Sequence, residues 1–132
     1  MTPCFGDTFY FIALLNSADE AHERALNHAR IPRPLITTTW VLTEFADGFA
    51  NAPSRVNVAE FIRRLRANPN VIIIPASDGD FDRALQLYDQ RPDKEWSLTD
   101  CTSFIVMQDH QLTEALTGDH HFEQAGFVPL LK

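Results

Sequence analysis

The four residues Val71-Ile72-Ile73-Ile74, closed by Pro75, are β-branched without interruption. Branching at Cβ favours extended backbone, and the absence of polar alternation predicts a strand covered on both faces, as in a parallel sheet. Parallel strands cannot be joined by tight hairpins, so each needs a crossover, usually a helix. The rest of the chain should therefore supply helices between short apolar strands.

It does. A short apolar start at residues 3–6 leads into a helical stretch over 8–16 and another over 17–30, where Ala18, Ala21, Ala25, Leu26 and Ala29 recur at helical spacing, giving two consecutive helices or one bent one. Ser17, with Glu20 three residues on, reads as a capping box opening the second of them. Pro32 and Pro34 stop that helix, residues 35–38 read as a strand, and a helix follows from Thr39 to about Ala50. Val58, Phe61, Ile62 and Leu65 make one apolar stripe on a helix over 54–67. After the strand at 71–74, a helix over 78–90 carries Phe81, Leu85 and Tyr88 on one face, and residues 91–96 form a loop. The helix over 97–109 contains Phe104-Ile105-Val106-Met107, an apolar run too broad for a surface position, so it should be central. A strand at 114–117, a helical turn at 119–124, Gly126 just past that turn and a strand at 127–131 complete the chain. The expectation is one α/β domain over residues 1–132 with a mostly parallel sheet.

At 132 residues and 45% hydrophobic content the chain can build a core without disulfides or structural metal. Cys4 and Cys101 are far apart and fit no metal-ligand spacing, so they should be reduced, packed thiols. No apolar run approaches the ~18 residues of a membrane span, and the start lacks a basic leader region, so a cytoplasmic location and no membrane partner are expected.

The net charge is −7, and its distribution matters more than its size. Residues 1–66 hold seven charges of each sign, whereas residues 67–132 hold only Arg83, Arg91, Lys94 and Lys132 against eleven acids. Such a chain has no general attraction for nucleic acid; any contact must come through a local basic patch or through cations held on carboxylates.

Some of those acids fall where ligands bind. In an open parallel sheet the crevice lies outside the carboxyl ends of the strands. Asp7 follows the first strand, Asp100 sits in the first turn of the central helix, and Asp119 follows the strand at 114–117. Glu44 lies within Trp40-Val41-Leu42-Thr43-Glu44-Phe45, a helix too apolar to be freely solvated, so its carboxylate should need a partner. Carboxylates gathered without lysines repel one another and resist burial, a conflict that a divalent cation resolves. Mg²⁺ or Mn²⁺ takes one or two carboxylates together with water and phosphate oxygens, and the chemistry it suits is phosphodiester hydrolysis. Taken singly, Asp100 and Asp119 can equally be helix caps.

The motifs around these acids are Asp7-Thr8, Thr43-Glu44-Phe45, Ser97-Leu98-Thr99-Asp100-Cys101 and the long run Ala115-Leu116-Thr117-Gly118-Asp119-His120-His121-Phe122-Glu123-Gln124-Ala125-Gly126-Phe127. In this order and spacing the chain resembles the PIN-domain ribonucleases, in particular the VapC-type toxins, over nearly its whole length. The resemblance implies a PIN-like fold, a central mostly parallel sheet of four to five strands flanked by helices. It implies an Mg²⁺- or Mn²⁺-dependent endoribonuclease whose metal-binding acids are Asp7, Glu44, Asp100 and Asp119, with Thr8 and Thr117 orienting carboxylates or water. It also implies a small antitoxin partner whose C-terminal segment fills the acidic crevice, and pairing as a homodimer.

Two residues depart from the family pattern. Phe9 stands where a small hydroxyl residue commonly follows the Asp-Thr pair, and Gly6 replaces the usual aliphatic residue ahead of it. A supporting hydrogen bond is then missing, which keeps open a catalytically weak or inactive PIN-like module that binds RNA or protein. A hydrolase of small phosphate esters is a remoter alternative. Arg55, Arg63, Arg64 and Arg66 form the sole basic concentration and are candidates for RNA contact, although a solvated outer helix face accounts for them as well. Asp78-Gly79-Asp80-Phe81-Asp82 lacks the glycine and glutamate of a calcium loop and reads as helix-opening acids. His120 and His121 are adjacent and cannot share a helix face as zinc-binding i, i+4 pairs do.

Overall fold

Short strands of apolar residues pair in parallel only if helices return the chain to the same edge each time, and the chain is organised in that way. The computed structural model describes residues 1–51 and 53–132. Its elements are β1 (Cys4–Gly6), α1 (Thr8–Leu15), α2 (His22–Ala29), β2 (Leu35–Thr38), α3 (Thr39–Asp47), α4 (Ser54–Ala67), β3 (Val71–Ile74), α5 (Asp78–Gln90), α6 (Leu98–Asp109), β4 (Glu114–Leu116), α7 (His120–Gln124) and β5 (Val128–Pro129). The sheet runs β3-β2-β1-β4-β5 with every pairing parallel. Phe5 lies opposite Ile36 on one side and Ala115 on the other. The chain winds outward from β1 to β3 and then crosses back to β4, so the winding direction reverses between β1 and β4. Their carboxyl ends are Gly6 and Leu116, immediately before Asp7 and Thr117.

The core is aromatic on both sides of β1. Phe11, Phe45 and Phe61 pack with centroids 5.8–6.0 Å apart beneath α1, α3 and α4. Phe104 meets Trp96 at 5.1 Å and Phe122 at 5.0 Å, both edge-on, and Phe127 at 5.7 Å, which locks α7 and the last strand to α6. Edge-to-face pairs of this kind add about 1 kcal/mol each beyond the area they bury. Residues 100–107 of α6 are all buried, so this helix is central as its composition predicts. Cys4 and Cys101 are buried free thiols, and no helix among the described residues is long and apolar enough to cross a membrane.

Several sequence expectations are corrected. The capping box at Ser17 and Glu20 does not form, and α2 begins only at His22. The Asn16 side chain accepts from the Ala18 N–H and the Asp19 side chain from the Ala21 N–H, so two successive Asx turns consume the segment where the helix was expected to start. β3 is an edge strand rather than a strand covered on both faces, and Ile72 is 52% exposed. The β-branched run fixed its extended backbone but not its place in the sheet. Phe81, Leu85 and Tyr88 do share a face of α5, but it is the exposed one; the buried position is Ala84. Ala84, with Leu87 beside it partly buried, makes the inner side of α5, and Phe81, Leu85 and Tyr88 are left outside. The helix from Thr39 ends at Asp47, and the last strand is confined to Val128–Pro129. Gly126, at φ +96°, is the left-handed residue that ends α7.

The glycine at position 6 has a packing cause. A Cβ there would sit 3.0 Å from the Phe11 ring and 3.1 Å from a Leu35 methyl, so Phe11 already fills the space an aliphatic side chain would use. Gly6→Val is expected to lower stability by roughly 1–3 kcal/mol in urea unfolding, and Phe11→Leu in the same chain should recover part of that loss. Unchanged stability of the single variant would refute the exchange.

Candidate active site

Asp7 occupies the N-cap position of α1 with extended backbone, yet its side chain makes no capping bond to that helix. Its Oδ2 instead accepts from the Thr117 hydroxyl at 2.8 Å, across the β1–β4 boundary. The Thr117 Oγ1 in turn accepts from the Asp119 N–H at 3.0 Å. Asp119 caps α7, its Oδ1 accepting from the His121 N–H at 2.9 Å. The His121 ring then reaches Asp100, with Nδ1 3.0 Å from Oδ2 of that residue and 3.5 Å from Oδ1 of Asp119. Asp100 is fixed from its own helix by a full capping box with Ser97, the Ser97 N–H reaching Oδ2 at 3.1 Å. One connected chain of hydrogen bonds thus links Asp7, Thr117, Asp119, His121 and Asp100. Asp100 uses only Oδ2 in it and Asp119 only Oδ1, whereas the Asp7 carboxyl also takes the Thr8 N–H.

The electrostatics follow from this crowding. Burial pushes the Asp7 carboxyl up to about 7; the Thr117 hydroxyl and the Thr8 N–H oppose the shift, and the charges of Asp100 and Asp119 add to it. Burial also raises Asp100, assisted by Asp119 and opposed by the Ser97 N–H and His121. No lysine or arginine pairs with any of the three among the described residues. Carboxylates that repel one another without a basic partner are the kind of oxygen donors a hard divalent cation takes. Among the described residues the one group of three such side chains whose ligand atoms lie within 4.8 Å of one another is Asp119, His120 and His121; Asp7, Asp100 and Asp119 do not come that close as a set.

The remaining candidates lie as follows. Glu44 is exposed on α3 and makes no hydrogen bond or ion pair among the described residues, contrary to the expectation that its helix would deny it solvent. The apolar positions of α3 are turned to the core at Val41, Leu42 and Phe45, which leaves Thr43 and Glu44 on the outer side. The Thr8 hydroxyl is directed to the Val41 carbonyl at 3.5 Å and so ties α1 to α3. Arg63 and Arg64 lie on α4 beside Glu60, and Arg55 donates to the Ala50 carbonyl; Arg55 and Arg63 border a cleft with the end of α3 and Arg64 one with Leu15 of α1, and none of the three lies among the acids. Phe9 covers Gly118 so closely that a Cβ there would lie 2.6 Å from its ring. Sequence reasoning missed His121. Here both rings lie near the acid that caps their helix, His120 Nδ1 at 3.7 Å and His121 Nδ1 at 3.5 Å from Asp119 Oδ1, although adjacent residues share no helix face.

A family model for the PIN domain matches residues 4–128. The chain belongs to the PIN-domain family. Among solved structures it is similar to VapC20 of Mycobacterium tuberculosis, described as a sarcin-ricin loop cleaving toxin, with TM-score 0.83 and 26% identity over 95% of this chain and 96% of that one. It shares its fold with FitAcB of Neisseria gonorrhoeae, with TM-score 0.66 and 17% identity over 96% of this chain and 94% of that one. The same holds for FitAB bound to the IR36 DNA fragment, with TM-score 0.71 and 17% identity over 98% and 96% of the two chains. A search of curated proteins returns no match. The five-stranded parallel sheet flanked by helices is the architecture the PIN resemblance implied.

The raised Asp7 and Asp100 give a signed pH dependence for the metal-free PIN domain. A carboxyl whose folded pKa exceeds its unfolded value of about 4 keeps its proton better in the native state, so stability is full below about pH 4 and is lost as pH rises towards 7. Asp7 alone should cost on the order of 4 kcal/mol across that window, and Asp7→Asn should remove most of the slope in chelator-treated protein. A wild-type melting temperature that rises from pH 4 to pH 7 under those conditions would contradict the pocket electrostatics.

Proposed function

We propose that this PIN domain is an endoribonuclease that hydrolyses RNA phosphodiester bonds with Mg²⁺ or Mn²⁺, and that it is the toxin of a type II toxin-antitoxin pair. The observation that carries the reading is the mutual repulsion of Asp7, Asp100 and Asp119, without a lysine or arginine partner, at the switch point between β1 and β4. These three acids would hold the cation. Glu44, exposed on a helix packed against both α1 and α6, would be the fourth acid that the PIN resemblance implies. A bound divalent ion would supply charge to activate water and to stabilise the displaced oxygen.

The protein's own groups do the positioning. Thr117 holds Asp7, Ser97 and His121 hold Asp100, and the His121 N–H holds Asp119, so the acids are preset before any cation arrives. The sarcin-ricin loop cleavage named for VapC20 makes structured RNA the substrate class to test first. An antitoxin whose C-terminal segment enters the crevice would neutralise the same acids, and a second copy of the chain completes the partner reading.

Cleavage of a structured RNA in Mn²⁺ is expected to stop on chelation and to fall at least 100-fold in Asp100→Asn, a substitution whose amide can still cap α6. Calorimetric Mn²⁺ binding should weaken in the same variant. Equal cleavage by wild type and variant would overturn the reading. An intact wild-type protein that neither cleaves RNA nor binds Mn²⁺ would establish the inert module instead.

A further inference from the structure

The acid pocket explains the chemistry but not how a polyanion stays beside it. A second cleft, of about 250 Å³, adjoins the pocket between the 91–96 loop and α7, lined by Asp93, Lys94, Glu95, His120, His121 and Gln124. His121 is the shared wall: it lines this cleft and contacts Asp100 in the acid pocket. The loop is braced rather than loose. Arg91 lies over the Trp96 ring at 5.1 Å and grips Asp93 through two hydrogen bonds of 2.9 and 3.0 Å. The Trp96 indole N–H donates to the Gln124 side-chain oxygen at 3.0 Å, which fastens the loop to α7 and leaves the Gln124 amide hydrogens as donors.

Within this frame Lys94 is half-buried and has only a long contact, 4.0 Å, to Asp93, whose charge Arg91 already neutralises. The other acid of the cleft, Glu95, is exposed, where solvent screens it. Lys94 is thus a cation with unused donors, sharing a cavity with a residue that touches the catalytic acids. We propose that this cleft is a substrate subsite, in which Lys94 and the Gln124 amide hold the phosphate of the nucleotide adjoining the scissile bond, with His120 beside them. The assignment rests on the nuclease reading above. It moves RNA contact from the α4 arginines to a segment, Arg91-Pro92-Asp93-Lys94-Glu95-Trp96, whose charges sum to zero and which therefore shows no basic patch in the sequence.

Steady-state cleavage of structured RNA by wild type, Lys94→Gln, Lys94→Arg and Arg63→Gln tests it, with fluorescence anisotropy of the same RNA on an Asp100→Asn background. Lys94→Gln should raise KM about tenfold, with the larger part of the effect in KM rather than kcat, as expected for one charge-assisted contact. The slope of log affinity against log salt should flatten by about 0.7–0.9, the loss of one phosphate contact. Lys94→Arg should retain most of the affinity, and Arg63→Gln should match wild type. Unchanged KM and salt slope in Lys94→Gln, with cleavage still lost in Asp100→Asn, would overturn the subsite and leave the nuclease reading standing. If wild type cleaves no RNA, the nuclease reading fails and anisotropy decides alone: RNA affinity independent of Lys94 overturns the subsite, and affinity that needs Lys94 retains it as an RNA-binding cleft.

Discussion

The bond between the Thr117 hydroxyl and Asp7 joins the two halves of the sheet at the point where the chain changes winding direction. It exists because β1 and β4 are paired in parallel with Gly6 opposite Leu116, so both strands end at the same level. A carboxylate delivered to that level is enclosed by two strand ends and the start of α1, and it becomes costly to ionise. The acids that α6 and α7 bring to the same place add their own repulsion. The pocket is therefore an electrostatic liability built into a stable scaffold, of the kind functional sites carry and the surrounding structure supports.

Local structure and chemistry do not compete for these acids; they share them. Asp100 caps α6 and Asp119 caps α7, so the ordinary structural explanation of each residue is correct. A carboxylate has two oxygens, and a cap or a threonine needs only one. The structural bond fixes the side chain's orientation while the second oxygen stays available, and a capping role of this kind would make the proposed ligand role geometrically reliable. This is why neither residue read alone separates a cap from a ligand.

Features governed by local pattern were legible in the sequence. The alternation of strands and helices, the central burial of α6, the left-handed Gly126 and the positions of Asp7, Asp100 and Asp119 relative to element ends all follow from spacing and turn chemistry. Features set by tertiary neighbours were not. Ile72 is exposed because no strand lies beyond β3, and nothing in Val71-Ile72-Ile73-Ile74 encodes that absence. The outward face of α5 is decided by Ala84 and Leu87 making its inner side. Glu44 faces solvent because Val41, Leu42 and Phe45 claim the inner side of α3, and helix composition averages over both sides. The His121 contact to Asp100 spans 21 residues, and the Trp96 bond to Gln124 that braces the 91–96 loop spans 28; neither leaves a periodic signal.

The two departures from the family pattern become intelligible as exchanges of volume. At position 6 the missing aliphatic side chain is replaced from within α1 by the Phe11 ring, so the strand end stays filled although its own residue contributes nothing. At position 9 a large ring stands where a small hydroxyl is usual, and the room for it comes from Gly118, on the loop between β4 and α7. Gly118 has no positive φ to require glycine, so its identity is explained by the ring lying over it. That contact presses α1 against the segment carrying Thr117 and Asp119. Phe9 thus supplies by packing part of the fixation that a hydroxyl would give by hydrogen bonding, and the positions of Asp7 and Asp119 relative to each other are held by the same pair of segments that the Thr117 bond connects.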